Sequence, residues 1–545
     1  MDEHWYKRAV IYCLDVDTFQ DDDDDGVGDL PGLIRRLDYL ARLGVTCLWL
    51  NPIQPTPNRD DGYDISDFYA VDPRLGTLGD VVELIHQADN RGLRVIIDLV
   101  VNHTSDEHPW FQAARSDPSS PYRDWYVWSA SEPLDVTDGV VFPGVQRTTW
   151  TWDDAAGAWY HHRFYDFQPD LNWANPAVRA EIAKVISFWL QLGVSGFRMD
   201  AAPFVIEDTR PDRTDALRRF EWLDELRAHT SWRRGDAVIL AEANVERDEL
   251  LEFFGDGHRL PMLFNFGLNQ RTFLALARED AGPLREALLA MPSIPDSCSW
   301  ATFLRNHDEV DLSALSETER AECFAAFGPD ADMQLYDRGI RRRLAPMLGG
   351  DRRRIQLAYA LQCSLPGTPV IRYGEEIGMG ENLALKERYA IRTPMQWSDE
   401  PAGGFSKAKK SALVRPVVDD DTFGYQVVNV DAERDADDSL LAWFERMLRS
   451  LRECPEMGVG APTLLDSGNE HVLAIRYDHQ DQIVLALTNL RDEACRVDLS
   501  PEIDPPERVL EMFADRRYST TPQALSELDL DGYGYRWLRI SGSTA

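Results

Sequence analysis

The stretch RVIIDLVVNH, residues 94–103, carries the fold signal of this chain. Its apolar residues are nearly continuous rather than alternating, a pattern typical of a strand that is buried on both faces. Polar Asn102 and His103 follow the apolar run directly. Seven further apolar runs of strand length occur along the chain, at 9–16, 46–52, 196–201, 237–243, 262–267, 301–305 and 368–373.

Amphipathic segments with helical spacing lie between these runs, for example at 33–43, 78–91 and 176–192. Eight buried strands that alternate with helices predict a parallel (β/α)8 TIM barrel. Two of the intervals between strands are unusually long. The interval after the third strand is rich in Trp, Tyr, Asp, Ser and Pro and predicts an inserted subdomain, and a second insertion at 309–354 precedes the eighth strand.

The C-terminal part of the chain has a different pattern. Segments 472–477, 482–489 and 496–499 alternate apolar and polar residues, as antiparallel strands with one solvated face do. We therefore predict an α/β protein with three parts. They are a catalytic barrel formed by 1–102 and 177–455, an inserted subdomain at 103–176, and a C-terminal antiparallel β-sandwich domain at 456–545.

The charge balance is strongly acidic, with 57 Lys and Arg against 93 Asp and Glu and a formal net charge of −36. Such a surface repels phosphate backbones and anionic lipid, so we expect no nucleic-acid or membrane partner. The acid excess is also compatible with a cytoplasm of high salt, and the sequence leaves that question open.

The cysteines and the first residues of the chain predict in which cellular compartment the protein resides. None of the seven cysteines forms a CxxC pair, which favours a reducing environment. The chain has no run of eighteen apolar residues, and residues 1–8 lack the apolar core of a signal peptide. We expect a cytoplasmic protein; a homo-oligomer stays open.

Polar residues follow the ends of the predicted strands, where barrels of this kind place their active sites. These residues are Asp15 and Asp17 after the first strand, Asp98, Asn102 and His103 at the third, Arg198 and Asp200 at the fourth, Glu242 at the fifth, and Asn306, His307 and Asp308 at the seventh. A barrel that is held together by apolar layers has no structural need for such a cluster. The cluster therefore predicts an active site at the carboxyl ends of the strands.

Paired carboxylates without an evident Ser/His or Cys/His couple indicate glycoside chemistry, in which one carboxylate attacks and a second protonates the leaving oxygen. Arg198 precedes Asp200 by two residues, so both side chains point to the same side of the strand, and the cation keeps the carboxylate ionised. Glu242 follows the apolar run VILA. Apolar surroundings raise the pKa of a carboxyl, as a general acid requires.

Five motifs carry a family resemblance: DLVVNH (98–103), GFRMDAA (196–202), ILAEAN (239–244), FLRNHD (303–308) and QPDLN (168–172). With the first four motifs in this order and QPDLN in the inserted subdomain, the chain resembles glycoside hydrolase family 13, the α-amylase family, over essentially its whole length. The resemblance implies that Asp200 is the nucleophile and Glu242 the acid/base. Asp308 would be a third catalytic carboxylate that grips sugar hydroxyls and stabilises the oxocarbenium-like state.

The same resemblance implies a set of substrate-binding residues. They are Asp60, Tyr63, His103, Arg198, His307 and Arg392. Tyr63 would stack on the glucose ring. Asp60 and Arg392 would pair across the end of a pocket that takes one terminal glucose.

Within the family, the stretches RDDGYDISDFYAV (59–71), HRFYDFQPDLN (162–172) and RTPMQW (392–397) are similar to the trehalose synthase and α-glucosidase branch. This implies a retaining enzyme whose small-molecule partner is maltose or a short α-1,4-glucoside. Intramolecular conversion of maltose to trehalose is one outcome, and a hydrolytic or transglycosylating α-glucosidase is the alternative. A non-catalytic binding subunit is disfavoured because all three carboxylates are present.

An acidic loop predicts a metal site. In DDDDDGVGD (21–29), carboxylates at alternating positions around a glycine turn can bring several oxygens to one hard cation. The loop resembles the calcium loop of this branch. Its ligands would be Asp21, Asp23, Asp25, Asp29 and the Val27 carbonyl.

The resemblance implies a second ion where the barrel meets the insertion. Its ligands would be the side chains of Asn102, Asp170 and Glu207 and the carbonyls of Phe204 and Val205. We expect one or two structural Ca²⁺ ions, with Mg²⁺ as the alternative in the first loop, and no organic cofactor.

Overall fold

The computed structural model describes residues 4–210, 217–519 and 525–541. Eight parallel strands form a closed barrel in the order β1-β8-β7-β6-β5-β4-β3-β2. The strands are β1 (Ile11–Leu14), β2 (Cys47–Leu50), β3 (Arg94–Leu99), β4 (Gly196–Met199), β5 (Val238–Ala241), β6 (Met262–Phe264), β7 (Ser299–Phe303) and β8 (Thr368–Arg372). The predicted TIM barrel is confirmed, and every predicted run contains or overlaps one strand.

Helices cover the outside of the barrel. The longer ones are Leu78–Asp89, Pro176–Leu192, Glu221–Arg233, Arg247–Phe254, Phe266–Arg278, Gly282–Ala290, Glu317–Phe327, Arg352–Ser364 and Leu440–Arg452. The helix predicted at 33–43 is two helices, Leu30–Arg35 and Leu37–Leu43. The side chain of Asp29 caps the first of them by accepting a hydrogen bond from the Gly32 amide.

Strand alternation sends every second side chain into the barrel. The interior is filled by apolar residues such as Ile11, Trp49, Leu240 and Phe264, all of which are buried. Above this layer the inward positions become polar. The inward-facing side chains therefore change from apolar to polar along each strand and form a polar edge at the carboxyl ends of the strands.

Two insertions lie over this edge of the barrel. The first contains a three-stranded antiparallel sheet made of Trp128–Ser129, Trp150–Asp153 and Ala158–His161. It is tied back to the barrel by an isolated bridge between His103 and Asp170. The second contains a small sheet of Val310–Asp311, Gln334–Leu335 and Gly339–Ile340. Both insertions therefore lie at the carboxyl ends of the barrel strands.

The C-terminal part is antiparallel, as predicted. A five-stranded sheet has the order β9-β10-β11-β15-β13, and β12 pairs with β14. The strands are β9 (Ala461–Leu465), β10 (Val472–His479), β11 (Gln482–Asn489), β12 (Cys495–Val497), β13 (Arg508–Ala514), β14 (Leu528–Leu530) and β15 (Tyr535–Ser541). Leucines of both sheets, including Leu485 and Leu528, share a separate apolar core. The predicted domain boundaries stay predictions.

The state of the cysteines bears on the expected compartment. All seven cysteines are free thiols, and six of them are buried. Among the helices of the described residues, none is both long and apolar enough to cross a membrane.

Candidate active site

A cavity of about 390 Å³ lies at the carboxyl ends of the barrel strands. The predicted residues that line it are Asp60, Tyr63, His103, Asp200, Glu242, His307 and Asp308. The three carboxylates named from the motifs therefore face one cavity. Pockets of this size with a few convergent polar groups are the usual form of a small-molecule site.

Arg198 organises the carboxylates at the bottom of the cavity. Its Nη1 donates to Asp200 Oδ1 at 2.7 Å and to Asp98 Oδ1 at 3.1 Å, and its Nη2 contacts Glu242. The strand register makes this arrangement possible, since Arg198 on β4 lies between Asp98 on β3 and Leu240 on β5. One buried guanidinium therefore holds the groups from three strands in place. We call Asp98, Arg198, Asp200 and Glu242 the rim.

Burial raises the pKa of Glu242 to about 8, and the nearby charges of Asp200 and Asp308 act in the same direction. The positive charge of Arg198 opposes this rise without cancelling it. The direction and the cause agree with the sequence prediction. A carboxyl with this pKa keeps its proton at neutral pH, as a general acid must.

The pKa of Asp308 is shifted in the opposite direction, below its ordinary value. Burial alone would raise the pKa of its carboxyl, but the cations Arg388 and Arg392 hold that pKa well below the ordinary range. Oδ1 of Asp308 lies 3.0 Å from Arg388 Nη1 and 2.9 Å from Arg392 Nη2. Asp308 is therefore ionised, and it can accept hydrogen bonds from sugar hydroxyls.

Tyr63 and His307 form one wall of the cavity. Their rings are stacked, with centroids 5.4 Å apart and an interplanar angle of 10°. The Tyr63 hydroxyl donates to Asp98 Oδ2 at 2.8 Å. Burial lowers the pKa of His307 well below its usual value, so the ring is neutral. His103 also lines the cavity, with its Nε2 at 2.9 Å from the Tyr63 carbonyl oxygen.

The predicted ion pair between Asp60 and Arg392 is wrong. Arg392 pairs with Asp61 at 2.7 Å, and Asp60 instead accepts a hydrogen bond from Gln168 Nε2 at 2.9 Å. The cause is the turn that contains both carboxylates. Asp61 has φ 53°, and this left-handed residue turns its side chain away from that of Asp60. Asp60 faces the cavity, and burial raises its pKa to about 7.

The residues that cover the cavity were not among those predicted from the sequence. Phe142 of the first insertion packs against Tyr336 of the second with ring centroids 4.9 Å apart, and the Arg388 guanidinium lies 4.9 Å from the Phe142 centroid. Arg338 donates to the Val141 carbonyl at 2.9 Å. We call Val141, Phe142, Tyr336, Arg338 and Arg388 the roof.

One signal for the roof was present in the sequence. Arg388 lies four residues before Arg392, in the short helix Glu387–Ile391 that precedes Arg392. Both guanidinium groups contact Asp308, so closeness in sequence to the predicted residue Arg392 was the signal for Arg388. No comparable spacing marks the contacts between the two insertions.

The first predicted metal loop brings three carboxylates together. Ligand oxygens of Asp21, Asp23 and Asp29 all lie within 4.8 Å of one another. Backbone amides organise this group: the Asp21 carboxylate accepts from the amides of Asp24 and Gly26, each at 2.8 Å. The donor set consists of hard oxygens and fits Ca²⁺ or Mg²⁺. Asp25 lies outside the group and accepts a hydrogen bond from the Val27 amide at 2.8 Å.

The second predicted set is already engaged by protein cations and amides. Asn102 Nδ2 donates to Asp170 at 3.1 Å, and His161 Nδ1 lies 3.0 Å from the other Asp170 oxygen. The guanidinium of Arg163 lies 2.6 Å from Glu207. These carboxylates have positive or hydrogen-bonding partners without a metal, so this set fits an ion less well than the first loop. The chain turns through Phe204 and Val205 in the short helix Ala202–Val205.

Comparisons with known proteins agree with this geometry. The family model described as "Alpha amylase, catalytic domain" matches residues 13–326 and 339–457, and "Sucrose hydrolase-like, C-terminal domain" matches 482–539. The crystal structure of a trehalose-6-phosphate hydrolase from Bacillus licheniformis superposes with a TM-score of 0.79 at 25% identity, covering 99% of this chain and 100% of that one.

Two curated relatives are trehalose synthases. One from Thermus thermophilus is 46% identical over 492 residues, which is 90% of this chain and 51% of that protein, so this chain spans about half the length of that relative. A trehalose synthase/amylase from Mycobacterium tuberculosis is 41% identical over 548 residues, covering 99% of this chain and 91% of that protein. The barrel, the rim and these matches lead to one conclusion: the chain belongs to the α-amylase family, glycoside hydrolase family 13.

Proposed function

We propose that this enzyme transfers the terminal glucose of maltose or a short α-1,4-glucoside through a covalent intermediate on Asp200, and that trehalose is its main product from maltose. The observation that supports this most directly is the combination of the rim with the roof. The rim supplies a nucleophile and a protonated acid, and the roof covers part of the space in which a released glucose must stay. Both are needed for an isomerase of this kind.

In the first step, Asp200 attacks the anomeric carbon of the non-reducing glucose while Glu242 gives its proton to the glycosidic oxygen. The bond to the second glucose breaks, and a β-glucosyl ester forms on Asp200. Arg198 orients the attacking carboxylate by donating a hydrogen bond to Oδ1 of Asp200. Asp308, held ionised by Arg388 and Arg392, binds sugar hydroxyls and opposes the positive charge that develops in the ring.

In the second step, Glu242 acts as a base and removes a proton from the acceptor hydroxyl. If the acceptor is the anomeric hydroxyl of the retained glucose, the product is trehalose. If water attacks instead, the product is glucose. The roof favours the first outcome because it limits the entry of water and the exit of glucose.

The ions and the location follow as parts of the same proposal. Asp21, Asp23 and Asp29 would hold one structural Ca²⁺ or Mg²⁺, and a second ion at Asn102, Asp170 and Glu207 is the weaker of the two sites. The seven free thiols support a cytoplasmic location.

Proton NMR of the purified protein with maltose alone tests the proposal. The anomeric signals distinguish trehalose, glucose and longer α-linked products. Trehalose with little glucose supports the isomerase. Glucose alone, or glucose with longer oligosaccharides, would replace it with the α-glucosidase alternative. Full turnover by Asp200→Asn or Glu242→Gln would refute the mechanism itself.

A further inference from the structure

A second cavity, of about 290 Å³, lies at the opposite end of the barrel from the active site, and we call it the basal pocket. One side is formed by residues at the amino ends of four barrel strands, namely Ala9, Thr46, Arg94 and Pro369. The other side is formed by residues of the segment 451–458, which connects the barrel to strand β9. Among the described residues, none lines both this pocket and the catalytic cavity, so the two spaces are separate.

The wall of the basal pocket is positively charged. Its cations are Lys7, Arg8, Arg94 and Arg452, and the described residues that line it include no Asp or Glu. Glu456 lies in the same segment of chain but pairs instead with Arg539 at 3.0 Å. Acidic residues outnumber Lys and Arg by 93 to 57 in this chain. The pocket is therefore a local positive region on a protein whose overall charge repels anions.

Two of the four cations are available to a ligand. Arg8 and Arg452 are exposed, and in the described part of the chain their guanidinium groups have neither an ion-pair partner nor a hydrogen-bond acceptor. Each guanidinium presents five N–H donors in a planar fork that matches the oxygens of a phosphate or carboxylate. An anion in the pocket would therefore gain charge-assisted hydrogen bonds without breaking an existing pair.

The other two cations are held in fixed positions. The guanidinium of Arg94 lies 4.5 Å from the ring centroid of Trp5, and its Nη1 lies 2.9 Å from Asp236 Oδ2. Lys7 Nζ donates to the backbone carbonyl of Asp296 at 2.8 Å. Burial lowers the pKa of Lys7 even though the Asp296 charge opposes this, so the ammonium lacks full compensation. A bound anion would supply the missing negative charge.

A close backbone contact brings the two sides of the pocket together. A Cβ on Gly458 would lie 2.2 Å from the carbonyl oxygen of Lys7, so only glycine allows this approach. The contact joins the short helix Glu456–Val459 to the N-terminal segment that carries Lys7 and Arg8. The cations of both sides are therefore placed around one space before any ligand binds, which lowers the entropic cost of binding.

We propose that the basal pocket binds a small organic phosphate, of the size of a phosphorylated sugar. A phosphate group carries nearly two negative charges and three acceptor oxygens, which match the four cations of the wall. Apolar residues such as Leu451 and Met457 contact the organic part. The volume lies just below the range of about 300–1,000 Å³ that is usual for small-molecule sites, so the ligand is small. This binding does not depend on the proposed function.

Calorimetry and thermal melts of the full chain test the proposal, with inorganic phosphate and glucose 6-phosphate as probes at constant ionic strength. We expect both probes to bind saturably and to raise the melting temperature, with glucose 6-phosphate binding more tightly because its sugar contacts the apolar lining. The double variant Arg8→Gln, Arg452→Gln should raise Kd for both probes about tenfold or more, because charge-assisted hydrogen bonds are lost. Its maltose turnover should be unchanged.

Arg449→Gln is the matched control. Arg449 is exposed on the same helix as Arg452 but does not line the pocket, so this variant should keep the affinity of the unsubstituted protein. No saturable binding of either probe, or equal weakening by the control and the double variant, would overturn the proposal. Binding that survives the double substitution and is displaced by maltose would place the probe in the catalytic cavity and overturn it as well. Equal affinity for the two probes would exclude an organic phosphate in favour of inorganic phosphate.

Discussion

The rim and the roof face each other across one cavity, yet they are built in different ways. The rim is fixed by strand register: Asp98, Arg198 and the residues beside them are held by backbone pairing between adjacent strands. The roof is made of side chains from two insertions and from the segment around Arg388, which meet through side-chain contacts: ring contacts, a hydrogen bond from Arg338 and the ion pair of Arg388 with Glu309. The barrel strands, which are rigid, therefore carry the catalytic groups. We expect the insertions, which vary most easily, to influence which acceptor reacts.

The largest effect should come from the rim. Asp200→Asn removes the nucleophile but keeps the size of the side chain, so maltose turnover should fall about 10⁴-fold or more. The melting temperature should stay close to that of the unsubstituted protein, because Arg198 still contacts Asp98 and Glu242. Steady-state rates and a thermal melt measure both. Substantial turnover by this variant would mean that the rim is not the catalytic machinery.

The pH dependence tests the other rim carboxyl. With a pKa of about 8 for Glu242, kcat/KM should fall above pH 8 because the acid loses the proton that the leaving oxygen needs. The limiting slope is about tenfold per pH unit. α-Glucosyl fluoride is the control substrate, since its leaving group needs no proton and the alkaline decrease should weaken. A decrease that begins near pH 5 would contradict the assignment.

The roof should affect products more than rate. Phe142→Ala removes the contact with Tyr336 and the surface under Arg388, which opens the cavity to water. We expect maltose consumption to change only about threefold, whereas the share of glucose among the products rises severalfold. Trp232→Ala is the matched control, because that side chain is 90% exposed and lies outside the cavity. An unchanged ratio of trehalose to glucose would show that the roof does not retain glucose.

The same contrast explains what the sequence could predict. The eight barrel strands are continuous apolar runs that end in polar residues, and local sequence encodes both features. The roof depends on contacts between distant segments, such as Arg338 with Val141, 197 residues apart, and no local pattern encodes them. Asp60 and Asp61 show a finer limit: the two adjacent carboxylates are equivalent in the sequence, and the fold decides that Asp61, which is left-handed and also contacts Arg415, is the one that meets Arg392.

The smallest expected effect is a change in thermal stability at the two predicted metal sites. One site is local in sequence, as the strand ends are, and the other joins distant segments, as the roof does. The loop with Asp21, Asp23 and Asp29 is local in sequence and has its oxygens assembled by backbone amides. The set with Asp170 and Glu207 joins distant segments, and its carboxylates already have His161 and Arg163 as partners. A bound ion stabilises only the folded state, so exhaustive chelation should lower the melting temperature by about 2 °C or more.

The loop should account for that whole loss. Asp21→Asn should lower the melting temperature by a similar amount and make the protein insensitive to chelator, since the remaining oxygens no longer hold the ion. Asp25→Asn is the matched control, because Asp25 lies in the same loop but outside the cluster, and the variant should still respond to chelator. If Asp21→Asn kept a full response to chelator, the stabilising ion would belong to the Asp170 and Glu207 set. Spacing within one loop would then be the weaker guide to metal binding.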